Sequence, residues 1–326
     1  MLTLASMIVV PFAALSIFNA ALAQTYPVKP VRLVIPYPPG GVDITIRQIL
    51  PYVDADLGQP VVIDYRPGAS GIIGSEFVSR AEPDGYTLLA TASNPWVVSP
   101  AMRKQTPYHP ITSFTPISTV SQGGVNLIVA NLDFPPNNVA EMIAYAKKFP
   151  DKVAWATSGL GSSWHLDAEY MNILAGTKIL HAPFAGFGPM IPATVSGQVQ
   201  MALLPFQFIQ PMLTAKKVKM IGVMSTQAAA QALAPPGVQF VKEILPEYEA
   251  GPSWIGIGGP AKLPRPIVMR LNQAVNKAIR EPKVQENFAP QRTIVAGSTP
   301  EEFAERIRRD YELAVKIVKT AGIPLE

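Results

Sequence analysis

The sequence predicts an α/β fold in two lobes, each a mostly parallel sheet flanked by helices, with a two-strand hinge between them. Three observations carry this expectation. Short apolar runs alternate with helical patterns along most of the chain, the signature of strand–helix–strand units. The alternation breaks at Ser121-Gln122-Gly123-Gly124, where glycine and polar residues interrupt a strand-like context, and restarts at Val139. Near Trp254-Ile255-Gly256-Ile257-Gly258 a strand crosses back, and three amphipathic helices then close the chain. The lobes predicted are residues 24–121 with 250–326, and residues 122–249.

The first lobe opens with two matching units. Val31-Arg32-Leu33-Val34-Ile35 and Val61-Val62-Ile63-Asp64-Tyr65 read as strands. Pro36-Tyr37-Pro38-Pro39-Gly40-Gly41 and Arg66-Pro67-Gly68-Ala69-Ser70-Gly71 then deliver the chain into helix N-termini. There the first-turn N–H groups lack intrahelical partners and the helix dipole is positive, so two such ends at one sheet edge suit an anion. For a single Gly-rich turn, an ordinary strand–helix connection is the commoner reading. A third strand, Tyr86 to Thr91, ends in Thr91-Ala92-Ser93-Asn94, short side chains fit for capping or for ligand hydrogen bonds. Pro100 to Pro116 reads as a loop without periodicity, followed by apolar runs at Ile117 to Val120 and Leu127 to Ala130.

The second lobe follows the same logic. Val139 to Phe149 is a helix and Val153 to Ala156 a strand. Thr157-Ser158-Gly159-Leu160-Gly161-Ser162-Ser163 forms another Gly/Ser turn, entering a helix from His165 to Ala175. Strands are expected at Lys178 to His181, Gln198 to Leu204 and Val218 to Met224, with a helix opening at Gly186-Phe187-Gly188-Pro189. The closing helices are Pro266 to Arg280, Lys283 to Phe288 and Pro300 to Lys319. The last is signalled by Thr299 as N-cap, Pro300 at the first position and Glu301-Glu302 in the first turn.

At 326 residues with 48% apolar content, the chain has enough material for two cores. Its net charge of +4 comes from scattered basic residues, with no basic block or aromatic RNA motif, which argues against nucleic acid as a partner and suits small anions. Met1 to Ala23 holds no charged side chain, has an apolar core from Leu4 to Leu22 and ends in Ala21-Leu22-Ala23. It reads as a secretory signal peptide cleaved after Ala23, although no Lys or Arg precedes the core. The absence of cysteine fits an oxidising compartment and excludes disulfides.

Reactive chemistry finds few candidates. The three histidines, His109, His165 and His181, lack metal-ligand spacing. Ser158-Gly159-Leu160-Gly161-Ser162 is not the Gly-x-Ser-x-Gly of a nucleophile elbow, and no Gly-rich turn carries a dinucleotide or Walker signature. No enzyme, cofactor or metal is therefore expected. Turns offering backbone N–H groups and short hydroxyls are plentiful instead, and such an inventory binds without reacting. A hydrogen bond to an ionised group contributes roughly 1.5–3 kcal/mol.

A family resemblance rests on motifs in order along the mature chain. They are Tyr26-Pro27-Val28-Lys29-Pro30-Val31-Arg32, Pro36-Tyr37-Pro38-Pro39-Gly40-Gly41-Val42-Asp43, Leu57-Gly58-Gln59-Pro60-Val61-Val62, Arg66-Pro67-Gly68-Ala69-Ser70-Gly71, Pro83-Asp84-Gly85-Tyr86-Thr87-Leu88-Leu89, Pro107-Tyr108-His109-Pro110, His165-Leu166 and Thr299-Pro300-Glu301-Glu302-Phe303. Together they resemble the Bug family, the TctC-like periplasmic receptors of tripartite tricarboxylate transporters. The resemblance implies a type II-like periplasmic-binding fold that closes on a small carboxylate and hands it to membrane permease subunits. A monomer is expected. It also implies cleft residues Tyr37, Pro39, Asp43, Ala69, Ser70, Ser93, Thr157, Ser158, Ser162 and His165, and the Pro183-Phe184-Ala185-Gly186 turn. The reading of the turns themselves adds Gly68, Gly71 and Asn94.

Several positions depart from the family pattern. Tyr65 stands where Asn is usual, Phe184-Ala185 replaces a Tyr-Lys, Thr226-Gln227-Ala228 lacks an Arg, and Trp164 stands beside His165. Charge is lost and aromatic surface gained, so rings stacking on Trp164, Phe184 or Phe187 point to an aromatic mono- or dicarboxylate such as terephthalate. Drift of packing residues explains the same changes equally well. Aliphatic di- or tricarboxylates, or a sensor role for a signalling system, remain alternatives, and a hydrolase is the weakest reading.

Overall fold

The computed structural model describes residues 26–226, 228–320 and 322–325. The expected leader at residues 1–23 lies outside the described residues, as does Gln227 of the Thr226-Gln227-Ala228 departure. The strands are β1 Val31–Ile35, β2 Val61–Tyr65, β3 Thr87–Ala92, β4 Phe114–Ser121, β5 Asn126–Asn131, β6 Ala154–Thr157, β7 Leu180–Pro183, β8 Met201–Pro205, β9 Val218–Val223 and β10 Ile255–Pro260. They form two five-stranded sheets, ordered β2-β1-β3-β10-β4 and β7-β6-β8-β5-β9.

Each sheet has a parallel half and one strand that runs against its neighbours. In the first, β1 pairs in parallel with β2 and β3, while β10 is antiparallel to β3 and β4. In the second, β6 is parallel to β7 and β8, while β5 is antiparallel to β8 and β9. The reversed strand is in both cases the one delivered by a crossing from the other lobe. β1 buries Val31, Leu33 and Ile35 on one face and Val34 on the other, with only Arg32 exposed, as expected of a strand covered on both sides. Ile46, Ile49 and Val53 of the helix Val42–Leu57, and Val268, Leu271 and Val275 of the helix Arg265–Ile279, bury at helical spacing on the same core. Arg270 and Lys277 also pair with Asp56 across those two helices.

The two lobes share apolar packing. One continuous cluster runs from Val34 and Leu89 under the first sheet, through Trp96 and Phe303, to Ile128, Trp155 and Leu166 of the second. At its centre the Trp96, Trp254 and Phe303 rings meet edge to face, with centroids 4.9 to 5.8 Å apart.

The crossings are where the expectation of two hinge segments needs enlarging. β4 ends at Ser121 in one sheet and β5 begins at Asn126 in the other. Between them, Gln122 N–H donates to the Ile294 carbonyl, Ile294 N–H to Gly123 and Val125 N–H to Arg292, so a third segment lies alongside. Gly123 has φ of 98°, and a Cβ there would stand 2.6 Å from the Ser253 carbonyl oxygen of the returning crossing; only glycine lets the segments approach this closely. Arg306, on the closing helix Pro300–Thr320, donates from Nη2 to the carbonyls of Gln122 and Ser253, each at 3.4 Å. Its Nε faces Asp310 Oδ2, which also accepts from Trp254 Nε1 at 2.9 Å. Burial pulls the Arg306 guanidinium below its usual value, and Asp310 opposes that shift.

Three local expectations shift. The helix Phe206–Thr214 is unanticipated, the strand expected at Lys178 to His181 sits two residues later, and β4 starts at Phe114 within the expected loop. Helical turns at Asn94–Val98 and Ser99–Ala101 precede that loop.

Arg306→Leu leaves Asp310 buried beside Arg309 alone and both crossing carbonyls without this donor. Breaking a buried pair costs about 3–5 kcal/mol. Urea unfolding is expected to show a loss of that size, and a loss below about 0.5 kcal/mol would contradict the assignment.

Candidate ligand-binding site

Between the lobes lies a cleft of about 720 Å³. Its walls are made largely of helix beginnings. Gly40, Gly41, Val42 and Thr45 bring in the helix Val42–Leu57, and Ser162, Ser163 and Trp164 the helix Ser163–Ala175. Gly186, Phe187 and Gly188 bring in the helix Phe187–Val195, and Pro205, Gln207 and Phe208 the helix Phe206–Thr214. Three of these helices, those entered from Gly41, Gly186 and Pro205, have no side-chain cap. Phe206 N–H is taken by the Val125 carbonyl and Asp43 N–H by the Gly40 carbonyl, so it is the positive dipole ends and the remaining first-turn N–H groups that border the space a ligand would occupy. No Lys, Arg or His lines the cleft among the described residues.

Of the residues expected from sequence, Tyr37, Pro39, Ser70, Ser93, Asn94, Ser158, Ser162, Trp164, Ala185 and Phe187 line this cleft. Ser93 is also a strut: its Oγ donates to the Pro252 carbonyl at 2.7 Å and its N–H to Trp254, tying β3 to the returning crossing. Ser162 caps its helix by accepting from His165 N–H. Asn94 Nδ2 reaches the Ser70 carbonyl at 3.4 Å, linking two first-lobe turns.

Other expected residues are placed behind the wall. Asp43 is buried, and its carboxylate accepts from Tyr65 Oη at 2.6 Å and Arg47 Nε at 2.8 Å. Tyr65, the residue standing where Asn is usual, therefore has a structural partner. Of the Gly68–Gly71 turn only Ser70 lines the cleft. Ala69 and Ser70 hold left-handed backbones, at φ 47° and 56°. Gly71 N–H is bonded to the Gly68 carbonyl, and a Cβ on Gly71 would stand 2.9 Å from Pro95. Thr157 and His165 sit beneath the second-lobe turn: Thr157 Oγ1 and His181 Nε2 are hydrogen-bonded at 2.6 Å, and the two imidazoles stack at 4.0 Å. Gly161 N–H donates to His165 Nδ1. Burial lowers both histidines, His181 to about 4 with help from its neighbour, so both are neutral near pH 7. Phe184 packs in the second lobe's outer core.

Sequence reasoning missed Asn126, Asp167, Gln207, Phe208 and the returning segment Gly251 to Ile255, all in the lining. Phe206, Ile209 and Leu213 show helical spacing after β8, a signal masked by Pro211 inside that helix. Trp164, Phe187 and Phe208 form a connected aromatic wall, with Trp164–Phe187 at 5.6 Å and Phe187–Phe208 at 4.8 Å. Asp167 is 4% exposed, and its Oδ1 accepts from Gly251 N–H at 2.7 Å and Tyr248 Oη at 3.2 Å. Burial pushes this carboxyl up to about 7, partly offset by those two donors.

The family model for the tripartite tricarboxylate transporter family receptor matches residues 45–320. The chain belongs to that family. A Pseudomonas sp. (strain P51) relative, a UPF0065 protein in the tcbD-tcbE intergenic region, is 32% identical over 92% of this chain and 88% of its own length. The solved periplasmic binding protein BugD is 29% identical, with a TM-score of 0.79, over 92% of this chain and 99% of its own. An R. palustris protein solved with adipate is 27% identical, with a TM-score of 0.81, over the same share of each chain. This is a periplasmic solute-binding receptor of the TctC/Bug type, in the two-lobed α/β fold, and not an enzyme.

Because its value in the fold is raised above the ordinary carboxyl value of 3.8, Asp167 favours folding most when protonated. That contribution is complete below about pH 4 and is lost as pH rises through 7. Asp167→Asn, which cannot ionise, is expected to gain stability relative to the parent by on the order of 3 kcal/mol between pH 4 and pH 8. Urea unfolding at both pH values checks this; a difference that does not change with pH would contradict it.

Proposed function

We propose that the receptor closes on a small aromatic carboxylate, a mono- or dicarboxylate of the terephthalate type, and delivers it to membrane permease subunits. The observation that carries this reading is a cleft that combines uncapped helix N-termini, no cationic side chain and the aromatic wall of Trp164, Phe187 and Phe208. The N-termini supply the anion site and the wall supplies a face for a ring. Residues 24–121 with 250–326, and 122–249, are the bodies that rotate about the crossings as the cleft shuts. A monomer exported by cleavage after Ala23 is part of the same reading.

An aliphatic dicarboxylate is the second reading, favoured by the adipate of the R. palustris neighbour. Thermal-shift measurements with benzoate, terephthalate, adipate, succinate and citrate separate the two. Stabilisation by the aromatic acids is expected, and stabilisation by the aliphatic acids alone would sink the aromatic reading.

Two variants locate the contacts. Ser70→Ala is expected to weaken binding of the stabilising acid about three- to tenfold, the contribution of one hydrogen bond. Phe187→Ala is expected to weaken aromatic acids by a similar factor while leaving aliphatic acids unchanged. Isothermal titration reads both, and unchanged affinities would remove these residues from the contact surface.

A further inference from the structure

Asp167 is the only carboxylate lining the cleft among the described residues, and no Lys, Arg or His accompanies it there. Its two oxygens differ. Oδ1 is held by Gly251 N–H and Tyr248 Oη, while Oδ2 receives no hydrogen bond from any described residue. The carboxylate is 4% exposed and lines the cleft, and Oδ2 is not among the fully buried polar atoms that lack a partner, so a donor for it comes from the cleft. Nothing in the first-lobe wall is able to neutralise it.

Asp167 also stands at a defined place relative to the aromatic wall. Trp164 and Asp167 are three residues apart on the helix Ser163–Ala175, and both line the cleft. Side chains at that spacing share a helix face, so a ring resting on Trp164 brings its edge toward Asp167. The returning crossing fixes the carboxylate from the other side. At Gly251 a Cβ would stand 3.0 Å from Oδ1 and 3.2 Å from Oδ2, so the backbone approaches the acid as closely as glycine permits.

We propose that Asp167 is the specificity-determining residue of the cleft: its Oδ2 accepts a hydrogen bond from a donor on the ligand, so the receptor takes a monocarboxylate that carries a hydroxyl or N–H group at its far end. The carboxylate of such a ligand sits at the helix N-termini and its ring on the aromatic wall, so this rests on the reading of the cleft as a carboxylate receptor. With Asp167 ionised, above about pH 7, a second ionised carboxylate at the far end meets like charge and is disfavoured, whereas a neutral donor gains a charge-assisted hydrogen bond. A para-hydroxybenzoate-type acid satisfies all three parts of the cleft, and a terephthalate-type dianion satisfies two.

Isothermal titration of the full receptor at about pH 8 tests this with two matched sets. One is benzoate, para-hydroxybenzoate, para-methoxybenzoate and terephthalate; the other is hexanoate, ω-hydroxyhexanoate and adipate. The hydroxy acid is expected to bind at least about tenfold tighter than its methoxy or dicarboxylate counterpart. Asp167→Ala is expected to bring that preference within about twofold, and Tyr248→Phe, which leaves Oδ2 untouched, to preserve it. The parent's own series decides the matter even where Asp167→Ala fails to fold. A preference for the hydroxy acid confined to the aliphatic set supports the role of Asp167 and removes the aromatic reading. Equal or tighter binding of terephthalate or para-methoxybenzoate, a preference that survives in Asp167→Ala, or no binding in either set overturns the proposal.

Discussion

The chain joins its lobes through a buried ion pair. Arg306 and Asp310 are 12% and 7% exposed, and between them they hold the Gln122 and Ser253 carbonyls and the Trp254 indole. Both crossings are therefore fastened to one helix turn near the end of the chain. A buried pair is weak evidence for stability in itself, because desolvation consumes most of the Coulomb gain. Its value here is geometric: it fixes where the two sheets meet, and hence which helix ends face each other. The third segment, running through Arg292 and Ile294 beside Gly123, adds backbone hydrogen bonds to the first crossing.

From that junction the cleft follows. Four helices begin at its walls, and the reversed strands β5 and β10 carry the chain across its floor. Among the described residues the wall has no cation, so the groups available to an anion there are helix dipoles, N–H groups and the neutral hydroxyls and amides of the lining. Charge in the first lobe is instead placed behind the Val42–Leu57 entry, where Arg47 pairs with Asp43 and Tyr65 hydrogen-bonds to both. In the second lobe, Thr157, His165 and His181 support the Gly/Ser turn as a neutral stack.

Much of this was legible in the sequence because it depends on periodicity and turn chemistry. The Pro36-to-Gly41 and Thr157-to-Ser163 turns announce strand-to-helix connections, and both reach the cleft. What was not legible depends on long-range contact. Asp43 and His165 look like ligand residues until Tyr65 and His181, distant in sequence, are seen to engage them. The Gly68–Gly71 turn, which reads as an anion cradle, instead bonds Gly71 N–H to the Gly68 carbonyl inside the turn and sets Gly71 close against Pro95, leaving Ser70 alone of the turn at the cleft. Asp167 follows the His165-Leu166 motif but belongs to no motif itself, and only Gly251, brought back by the second crossing, shows how deeply it is held.

The central claim is that the cleft selects one carboxylate, one ring and one hydrogen-bond donor together. The most direct measurement is native mass spectrometry of the receptor isolated from its own cells, followed by release and identification of the bound small molecule. The account predicts an aromatic monocarboxylate bearing a hydroxyl or N–H group. A dicarboxylate, aromatic or aliphatic, or a cation as the carried ligand would contradict it.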